Sequence, residues 1–376
     1  MKCRFCKLDS DCDHILTIEN QPPSAQGFFD NQAGSYQKVD LEVYECSQCG
    51  LIQHNSTPVF YYKDVIRAIA YSAEMKHFRS TQLRKWLGDY QLWDKNILEI
   101  GAGKGEYLDL LDEAGAKKLH GLEHSSQNFI VLKDKKYNSR RGFLDATFKN
   151  SWDLSFDAVV SFNFVEHWPD LRVGLTEIKK LLTDEGVGLI EVPNFDHMLE
   201  HGIYSEFTLD HIYYFTEETF RNVLQGTGFE VISISSIWKG YILSAKVRKR
   251  KKANMRAIIE SKKKNSQALV EHLSNYKGSV VVWGAGHQAL SLMAMIQADN
   301  YVKYVVDSAP FKQGKFCPVT GLKIFPPVQL SIDCPQCIVV MGAGYSDEIV
   351  KIIHNDFGNV EDLLIVDASG VRKVND

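Results

Sequence analysis

The chain has 376 residues, of which 44% are hydrophobic and 24% charged, a globular composition that excludes collagen-like and largely disordered proteins. Its length predicts two or three domains. The net charge of -4, from 43 basic and 47 acidic residues, gives no overall sign of nucleic-acid binding. No apolar run approaches the roughly 20 residues that span a bilayer, and the N-terminus does not resemble a secretory signal. We therefore expect a cytoplasmic protein that binds neither nucleic acid nor membranes.

Five of the eight cysteines fall within the first 49 residues. Cys3 and Cys6 form one C-x-x-C pair, and Cys46 and Cys49 form a second. Two such pairs predict a structural zinc site, in which four thiolates fill a tetrahedral shell and leave no open position for chemistry. Two unrelated thiol pairs are the alternative, and a reducing cytosol disfavours disulfides. Cys12 is interpreted as a spare thiol, with exchange for one of the ligands as the other interpretation.

Residues 1–56 are rich in turn formers and are predicted to form an irregular module that depends on its metal. Apolar side chains between residues 60 and 90 recur at helical spacing, which predicts a helical lead-in over 57–95. From residue 96 to about 247, short apolar strands alternate with amphipathic helices, which predicts a mostly parallel α/β sheet. The strands predicted in this segment are Asn96–Ile100, Leu119–Glu123, Ala158–Asn163 and Val187–Val192.

A basic run over residues 246–252 leads into a polar helix that is predicted to end near Tyr276. We interpret residues 248–278 as a solvated linker and helix, and contact with a phosphate or an anionic surface is the alternative. Residues 279–376 return to the β/α pattern, which predicts a second Rossmann-like domain. The strands predicted there are Val280–Trp283, Tyr304–Asp307, Cys337–Met341 and Leu363–Val366.

A glycine-rich turn follows the first strand of the α/β segment. Glycine permits positive φ and close approach of a ligand, and Glu123 at the end of the second strand can accept both hydroxyls of a ribose. This G-x-G-x-G loop, with two carboxylates near it, favours a ligand that has a ribose and no phosphate, such as S-adenosylmethionine. The predicted loop residues are Glu99, Gly101, Ala102, Gly103 and Gly105.

Polar side chains also follow later strands of the same segment. Asn163 and His167 come directly after a predicted strand, and ligands of open α/β sheets lie at such carboxyl ends. We expect both side chains to face the donor or the acceptor, and for His167 packing beside Trp168 is the alternative. Asp145 follows a short third strand and is placed to meet the adenine amine of the donor.

The segment Leu98–Gly105 resembles motif I of class I S-adenosylmethionine-dependent methyltransferases. The full order of a double C-x-x-C module, a methyltransferase core and a C-terminal β/α domain resembles the nucleotide-sugar C-methyltransferases, which methylate deoxy-keto-hexoses attached to dTDP. The resemblance covers nearly the whole chain. It implies an α/β fold with a zinc-binding module at 1–56, a Rossmann-like class I methyltransferase core at 57–247 and a Rossmann-like substrate domain at 279–376. It also implies S-adenosylmethionine as donor, structural Zn²⁺ and a nucleotide-linked sugar as acceptor.

The resemblance further implies the catalytic residues. The family's acid-His signature matches Asp210 and His211, with Asp in place of the family's Glu, and the family's Asn and His after strand four match Asn163 and His167. His211 is then the general base that removes a proton next to a carbonyl, tuned by Asp210 or a nearby acid. Asn163 and His167 are expected to donate to the developing oxyanion or to the sugar.

Two departures from the family pattern concern tyrosines that handle the ketone and its proton. Phe207 stands where the family has a tyrosine three residues before the acid. A second tyrosine, expected before the core, has no clean counterpart, and Arg67 and Tyr71 lie in that stretch. The departures leave the methyltransferase prediction intact and bear on the keto-sugar acceptor. O- or N-methylation of another sugar or small metabolite is the alternative, because it needs the same donor loop but no carbon acid.

Two other classes of protein share single motifs with this chain. Gly284 and Gly286, with Asp307 after the next strand, match a dinucleotide fingerprint and would indicate an NAD-dependent oxidoreductase. The family resemblance implies instead a vestigial domain that closes over the acceptor and helps to hold its nucleotide end. A non-enzymatic zinc-ribbon adaptor would bind nucleic acid through the cysteine module and the basic run. Nothing in the sequence indicates an oligomeric state.

Overall fold

The computed structural model divides into two compact units, Met1–Lys251 and Lys252–Asp376. The N-terminal residues 1–56 and the α/β segment that follows them belong to the first unit, and the four-part division at residues 56, 247 and 278 stays a prediction. The residues that the structure describes are 1–7, 12–26, 37–64, 72–276, 278–358, 360–367 and 370–374.

Eleven strands and six helices build the described part of the first unit. The strands are β1 (Cys12–Gln21), β2 (Val39–Cys46), β3 (Ile52–His54), β4 (Asn96–Ile100), β5 (Lys118–Glu123), β6 (Asn138–Arg141), β7 (Phe156–Phe162), β8 (Leu182–Pro193), β9 (Tyr213–Tyr214), β10 (Phe229–Ile237) and β11 (Ile242–Lys249). The helices are α1 (Ala73–Asp89), α2 (Glu106–Glu113), α3 (Ser126–Lys133), α4 (Leu171–Leu181), α5 (Phe195–His201) and α6 (Glu217–Gly226).

The large sheet of this unit has the order β6-β5-β4-β7-β8-β11-β10. Strands β4 to β8 run parallel to one another, and β11 runs antiparallel to both β8 and β10. Strands β4 and β7 are buried almost throughout, as expected for a sheet covered by helices on both faces. The predicted mostly parallel α/β sheet is therefore confirmed. The chain first adds β5 and β6 on one side of β4 and then crosses to β7 on the other side. The point where the strand order reverses therefore lies between β4 and β7, and ligands of such sheets bind at this switch point.

The N-terminal residues form an ordered sheet. Strands β1, β2 and β3 pair in antiparallel fashion, and β9 pairs with β3 to give the order β1-β2-β3-β9. The prediction of an irregular module over 1–56 was therefore wrong. In β2, Leu41 and Val43 are fully buried and alternate with more exposed residues, which is the period of a half-buried strand.

The basic run over 246–252 begins inside strand β11. Val247 is buried in the sheet, whereas Lys246 forms an ion pair with Asp89 at 3.1 Å and Arg248 pairs with Glu230. These ion pairs neutralise part of the positive charge of the basic run, as is common on a solvent-exposed face of a sheet. No helix in the described part of the chain is both long and apolar enough to cross a membrane.

The second unit is a separate α/β sheet with the order β14-β13-β12-β15-β16-β17, parallel except for the last pair. The four strands predicted from the sequence are present within two residues at each end, so the second Rossmann-like fold is confirmed. Its strands are β12 (Val280–Trp283), β13 (Val302–Val306), β14 (Ile324–Phe325), β15 (Cys337–Val340), β16 (Asp362–Asp367) and β17 (Gly370–Lys373). Its helices are α7 (Arg256–Leu273), α8 (His287–Met295), α9 (Gln329–Asp333) and α10 (Ser346–Phe357).

Candidate functional site

The glycine loop joins β4 to α2 at the switch point of the large sheet. Gly101 has φ +69°, and a Cβ built on it would lie 2.7 Å from the ring of Phe164. Both the backbone conformation and the close approach of Phe164 therefore require glycine at this position. Phe164 belongs to the loop after β7, so this contact makes the loops after β4 and β7 neighbours.

Glu123 ends β5 with its carboxylate at the glycine loop. Its Oε2 accepts a hydrogen bond from the Gly103 N–H at 2.7 Å, and its Oε1 accepts from the Ser125 N–H at 2.8 Å. Two backbone donors thus fix the orientation of a side chain that is 5% exposed. An ionised carboxylate has about four acceptor positions, so this group is chemically able to accept ribose hydroxyls in the same orientation.

The other predicted donor-site residues lie around this loop in different environments. Glu99 on β4 and Ala102 in the loop are fully buried. Asp145 accepts hydrogen bonds from the Lys63 ammonium at 2.8 Å and from Thr147. Burial opposes ionisation of Asp145, but these hydrogen bonds outweigh it and lower the pKa of Asp145 to about 2. Asp145 is therefore an ion-paired carboxylate.

Asn163 is the first residue after β7 and has an unusual backbone. Its φ of +46° is left-handed, and its N–H donates to the Glu191 carbonyl oxygen at 2.9 Å. Its side-chain Oδ1 is buried without a hydrogen-bond partner among the described residues. Strained backbones and unsatisfied polar atoms cluster at functional sites. This amide is therefore a candidate to contact a ligand at the carboxyl ends of β4 and β7.

The side chain of His167, four residues after Asn163, meets that of His211. The rings lie 4.9 Å apart between centroids in an edge-on contact, and His167 Nδ1 lies 2.7 Å from the Asp210 carbonyl oxygen, which assigns the proton to Nδ1. Burial lowers the pKa of His167 to about 4, and burial together with the neighbouring His167 lowers the pKa of His211 to about 3. Both imidazoles are therefore neutral at neutral pH, and His211 is partly exposed. Trp168, the alternative partner for His167, packs against Phe164.

Asp210 does not point its carboxylate at His211. The carboxylate accepts the Tyr61 O–H at 2.8 Å and the Ala25 N–H at 2.9 Å. Burial, and secondarily Asp210, raises the pKa of Tyr61 to about 12, so the phenol remains a donor. Sequence reasoning missed Tyr61, although a tyrosine was expected in the stretch before the core.

Two residues from the departures in the family pattern lie outside the described residues, and a third is in the core. Arg67 and Tyr71 are not among the residues that the structure describes. Phe207 is buried, and its ring contacts Tyr214 at 4.6 Å between centroids. A phenol at position 207 would therefore need a partner inside this aromatic cluster.

The two C-x-x-C pairs converge. The thiol sulfurs of Cys3, Cys6, Cys46 and Cys49 all lie within 4.8 Å of one another, with 3.9 Å between Cys3 Sγ and Cys49 Sγ. Four sulfurs at about 2.3 Å from a tetrahedral zinc ion stand about 3.8 Å apart, so this spacing fits zinc.

Hydrogen bonds support the thiolate form of Cys3 within this cluster, whereas burial raises the pKa of Cys6 to about 11 and the hydrogen bond to Cys3 raises the pKa of Cys49. The Cys6 N–H and the Gln53 side-chain amide donate to Cys3 Sγ at 3.4 and 3.2 Å. The hydrogen bond from Cys49, supported by these donors, lowers the pKa of Cys3 to about 4. Cys12 lies opposite Cys46 in the β1–β2 register and is not part of the cluster.

A second group of metal-ligand type lies at the histidine pair. Atoms of Glu166, His167 and His211 also lie within 4.8 Å of one another. His167 Nε2 is 3.8 Å from Glu166 Oε1, beyond hydrogen-bonding distance. A histidine that ligates a metal cannot serve as a general base through the same nitrogen, so the two roles exclude each other.

Two family models match adjacent parts of this chain. A model described as a methyltransferase domain matches residues 71–234, and a model described as a C-methyltransferase C-terminal domain matches residues 247–359. The glycine loop, Glu123 and both histidines lie within the first match. The second match covers most of the second structural unit.

Similar proteins include methyltransferases of two kinds. C-methyltransferase NovU of Streptomyces niveus is 20% identical over 93% of this chain and 91% of its own length. The mitochondrial ubiquinone biosynthesis O-methyltransferase of Dictyostelium discoideum is 25% identical over 26% of this chain and 35% of its own length. A solved S-adenosylmethionine-dependent methyltransferase from Mesorhizobium loti has 15% identity, covers 47% of this chain and 98% of its own, and gives a TM-score of 0.38.

Proposed function

We propose that this chain, an S-adenosylmethionine-dependent methyltransferase, is a C-methyltransferase whose acceptor is a nucleotide-linked keto-deoxysugar, methylated at a carbon next to the ketone. The observation that carries this proposal is the neutral pair of His167 and His211, in which His167 follows β7 and His211 lies just before β9. A carbon next to a ketone must lose a proton before it can accept a methyl group, and that step needs an unprotonated base.

We propose that the donor lies along the glycine loop. Bound S-adenosylmethionine supplies an electrophilic methyl group. Glu123 would hold the ribose hydroxyls, and the buried Oδ1 of Asn163 would accept a hydrogen bond from the donor. Asp145 would reach the adenine amine beside its ion pair with Lys63. The remaining members of the proposed donor site are Glu99, Gly101, Ala102, Gly103 and Gly105.

We assign proton removal to His211. A pKa of about 3 keeps the ring unprotonated at neutral pH, so the base form is fully populated before the acceptor binds. The low pKa also makes the free ring a weak base. An enolate that forms next to the ring places negative charge beside it, which favours the protonated imidazole as the proton is transferred.

The oxyanion is better served by Asn163 than by His167. His167 already donates its Nδ1–H to the Asp210 carbonyl oxygen, so in the neutral ring Nε2 carries no proton to donate. The Asn163 amide has two N–H donors on a residue that the loop after β7 holds in a fixed conformation. We therefore propose that Asn163 stabilises the enolate oxygen and that His167 mainly orients the loop of His211.

The second unit is proposed to hold the nucleotide end of the acceptor. A cavity of about 460 Å³ lies at its glycine turn and is lined by Gly284, Asp307 and Lys312. Asp307 accepts from the Ala285 N–H and from the Lys312 ammonium, each at 2.8 Å. A dinucleotide ribose would compete with that lysine for the carboxylate, whereas phosphates would gain a cation and the N-terminus of α8. This supports a ligand that brings its phosphates to this turn over one that, like NAD, would bring a ribose to the Asp307 carboxylate.

The cysteine cluster is proposed to hold a structural zinc ion. Its donor set is four thiols with the spacing of a tetrahedral site, which leaves no position for substrate. The metal would stabilise the β1–β3 sheet without a part in methyl transfer.

A product screen tests the proposed function. Pure, zinc-replete protein is mixed with S-adenosylmethionine and a panel of nucleotide-linked keto-deoxysugars, and products are read by mass spectrometry and NMR. We expect a gain of one CH2 as a new carbon–carbon bond on one panel member. A new O-methyl or N-methyl group would instead support the alternative class, and no product from any keto-sugar would reject the proposed acceptor.

A further inference from the structure

The segment that carries Asp210 and His211 is fastened to the N-terminal part of the chain. Asp210 is 4% exposed, and the hydrogen-bond donors to its carboxylate among the described residues are the Tyr61 O–H and the Ala25 N–H. Tyr61 is itself fixed, because its oxygen accepts the Gln26 N–H at 3.0 Å. A buried carboxylate therefore receives two donors from outside the methyltransferase sheet.

The backbone of Asp210 connects this anchor to the histidine pair. Its carbonyl oxygen accepts the His167 Nδ1–H at 2.7 Å, and the next residue is His211, whose ring contacts that of His167. A shift of Asp210 therefore moves the partner of one imidazole and the backbone of the other.

Strand pairing also holds the residues after His211 against the N-terminal part of the chain. In the pairing of β3 with β9, Ile52 lies opposite Tyr214, and the His54 N–H donates to the Ile212 carbonyl oxygen at 3.3 Å. The adjacent Gln53 is fully buried and donates to Cys3 Sγ at 3.2 Å. The cysteine cluster is thus linked through one side chain to the strand that supports the histidine loop.

We infer that Tyr61 is a positioning residue, which acts through the Asp210 carboxylate to set the positions of His167 and His211. This inference rests on the proposed role of His211 as the base. It goes beyond that role because it makes the N-terminal module a part of the active-site support.

Loss of the phenol hydroxyl has a predictable effect. Tyr61→Phe leaves the buried Asp210 carboxylate with one donor fewer, and a charged group that loses a hydrogen bond moves toward water. A displacement of the base by about 1 Å reduces the rate by about a hundredfold when the reacting atoms must be aligned. None of these hydrogen bonds joins Tyr61 to the glycine loop, so the affinity for the methyl donor should not change.

The first test needs no acceptor. Histidine imidazole resonances of the full chain, bound to S-adenosylhomocysteine, are recorded by NMR for the wild type and Tyr61→Phe and assigned with His211→Gln and His167→Gln. We expect the resonances of His167 and His211 to shift in Tyr61→Phe, with unchanged calorimetric affinity for S-adenosylhomocysteine. Unshifted resonances for both rings would overturn the inference.

Tyr44→Phe is the matched control. Tyr44 on β2 also donates its O–H to a carboxylate, Glu42 Oε2, at 2.9 Å, and this carboxylate takes a further hydrogen bond from the Asn55 side chain, not from the segment of Asp210 and His211. The control removes the same chemical group from the same module and should leave both imidazoles at their wild-type shifts. Equal shifts in the two variants would point to a general loosening of the module and contradict a specific role for Tyr61.

A mutant cycle measures whether Tyr61 acts through Asp210. With the keto-sugar that gives product, kcat is compared among wild type, Tyr61→Phe, Asp210→Ala and the double variant. We expect Tyr61→Phe to lower kcat about tenfold or more in the wild type and to have no further effect in Asp210→Ala. If the fold-losses in kcat of the two single variants multiply in the double variant, the two residues act independently and the coupling is rejected. Full turnover in His211→Ala would instead reject the proposed base, while the NMR comparison would still report on the Tyr61–Asp210 link.

Discussion

At the residue scale, backbone groups orient the side chains of the proposed site. Glu123 is oriented by the N–H groups of Gly103 and Ser125, and His167 by the Asp210 carbonyl oxygen. Groups held in this way need little reorganisation when a ligand arrives, which is the main source of catalytic power in preorganised sites. The sequence could indicate Glu123, because it ends a clear strand. It could not indicate the contact of Tyr61 with Asp210, because 149 residues separate them.

Two substitutions of Asn163 separate the effect of its backbone conformation from that of its side-chain amide. Its positive φ costs an alanine about 1 kcal/mol or more, whereas glycine adopts this conformation freely. We expect Asn163→Ala to unfold at a lower denaturant concentration than Asn163→Gly, while both lose turnover because both lack the amide. Equal stability of the two variants in urea denaturation would show that the left-handed conformation is not retained in solution.

Glu123→Gln should weaken donor binding. The amide keeps the size of the side chain but replaces one acceptor oxygen with a donor, so it conflicts with the N–H of either Gly103 or Ser125 and offers one acceptor fewer to the ribose hydroxyls. A loss of about 10- to 100-fold in affinity for S-adenosylhomocysteine is expected from the value of charged hydrogen bonds. Isothermal titration calorimetry measures it, with Glu113→Gln at the exposed end of α2 as control. Wild-type affinity in Glu123→Gln would contradict the ribose assignment.

At the scale of elements, the burial of a strand determines whether it can be predicted from the sequence. Strand β4 was predicted at its observed ends, Asn96 and Ile100, because a strand buried on both faces is a continuous apolar run. Strand β1 is mostly exposed and shows no period of two, and β9 has only two residues, whose pairing with β3 comes from the tertiary fold. The N-terminal sheet was therefore missed, although its two C-x-x-C pairs were evident from their spacing.

The cysteine cluster makes a prediction about metal content. We expect one zinc ion per chain by elemental analysis, lost in Cys46→Ser and retained in His211→Ala. Loss of zinc should also lower the thermal unfolding temperature, because metal binding to a folded site contributes directly to folding free energy. A second equivalent of metal that disappears in His211→Ala would place a metal at the Glu166, His167 and His211 group and exclude His211 as base.

At the scale of the whole molecule, the two units contain the same local arrangement of an acid and a glycine turn, with different chemistry. In each unit an acid after the second parallel strand accepts an N–H from a glycine turn: Glu123 from Gly103, and Asp307 from Ala285. Asp307 also binds the Lys312 ammonium, whereas Glu123 is held by backbone N–H groups. The first arrangement suits neutral hydroxyl donors, and the second suits an anion, in agreement with two ligands of different charge.

Buried histidines predict how stability depends on pH. Burial lowers the pKa values of His54, His120 and His167 to about 4 and that of His211 to about 3, whereas an unfolded histidine titrates near 6.5. Between about pH 6.5 and 4 the unfolded chain binds protons that the folded chain excludes. The free energy of unfolding should therefore fall as the pH falls, by up to about 1.4 kcal/mol per pH unit for each histidine.

His120 offers a test of this dependence away from the active site, since its ring packs on Phe156 near the start of β5. Urea denaturation at several pH values should give a shallower slope for His120→Gln than for the wild type. A slope that does not change would mean that His120 titrates alike in the folded and unfolded chains.

The central claim is that His211 removes a proton from carbon, and solvent exchange measures that step most directly. The protein is incubated in D2O with S-adenosylhomocysteine in the donor site and the keto-sugar that gives product, and deuterium at the carbon next to the ketone is followed by NMR. We predict that the wild type accelerates deuterium incorporation and that His211→Ala, with donor-site affinity intact, does so at least about a hundredfold more slowly. Equal incorporation by the two proteins would contradict the account.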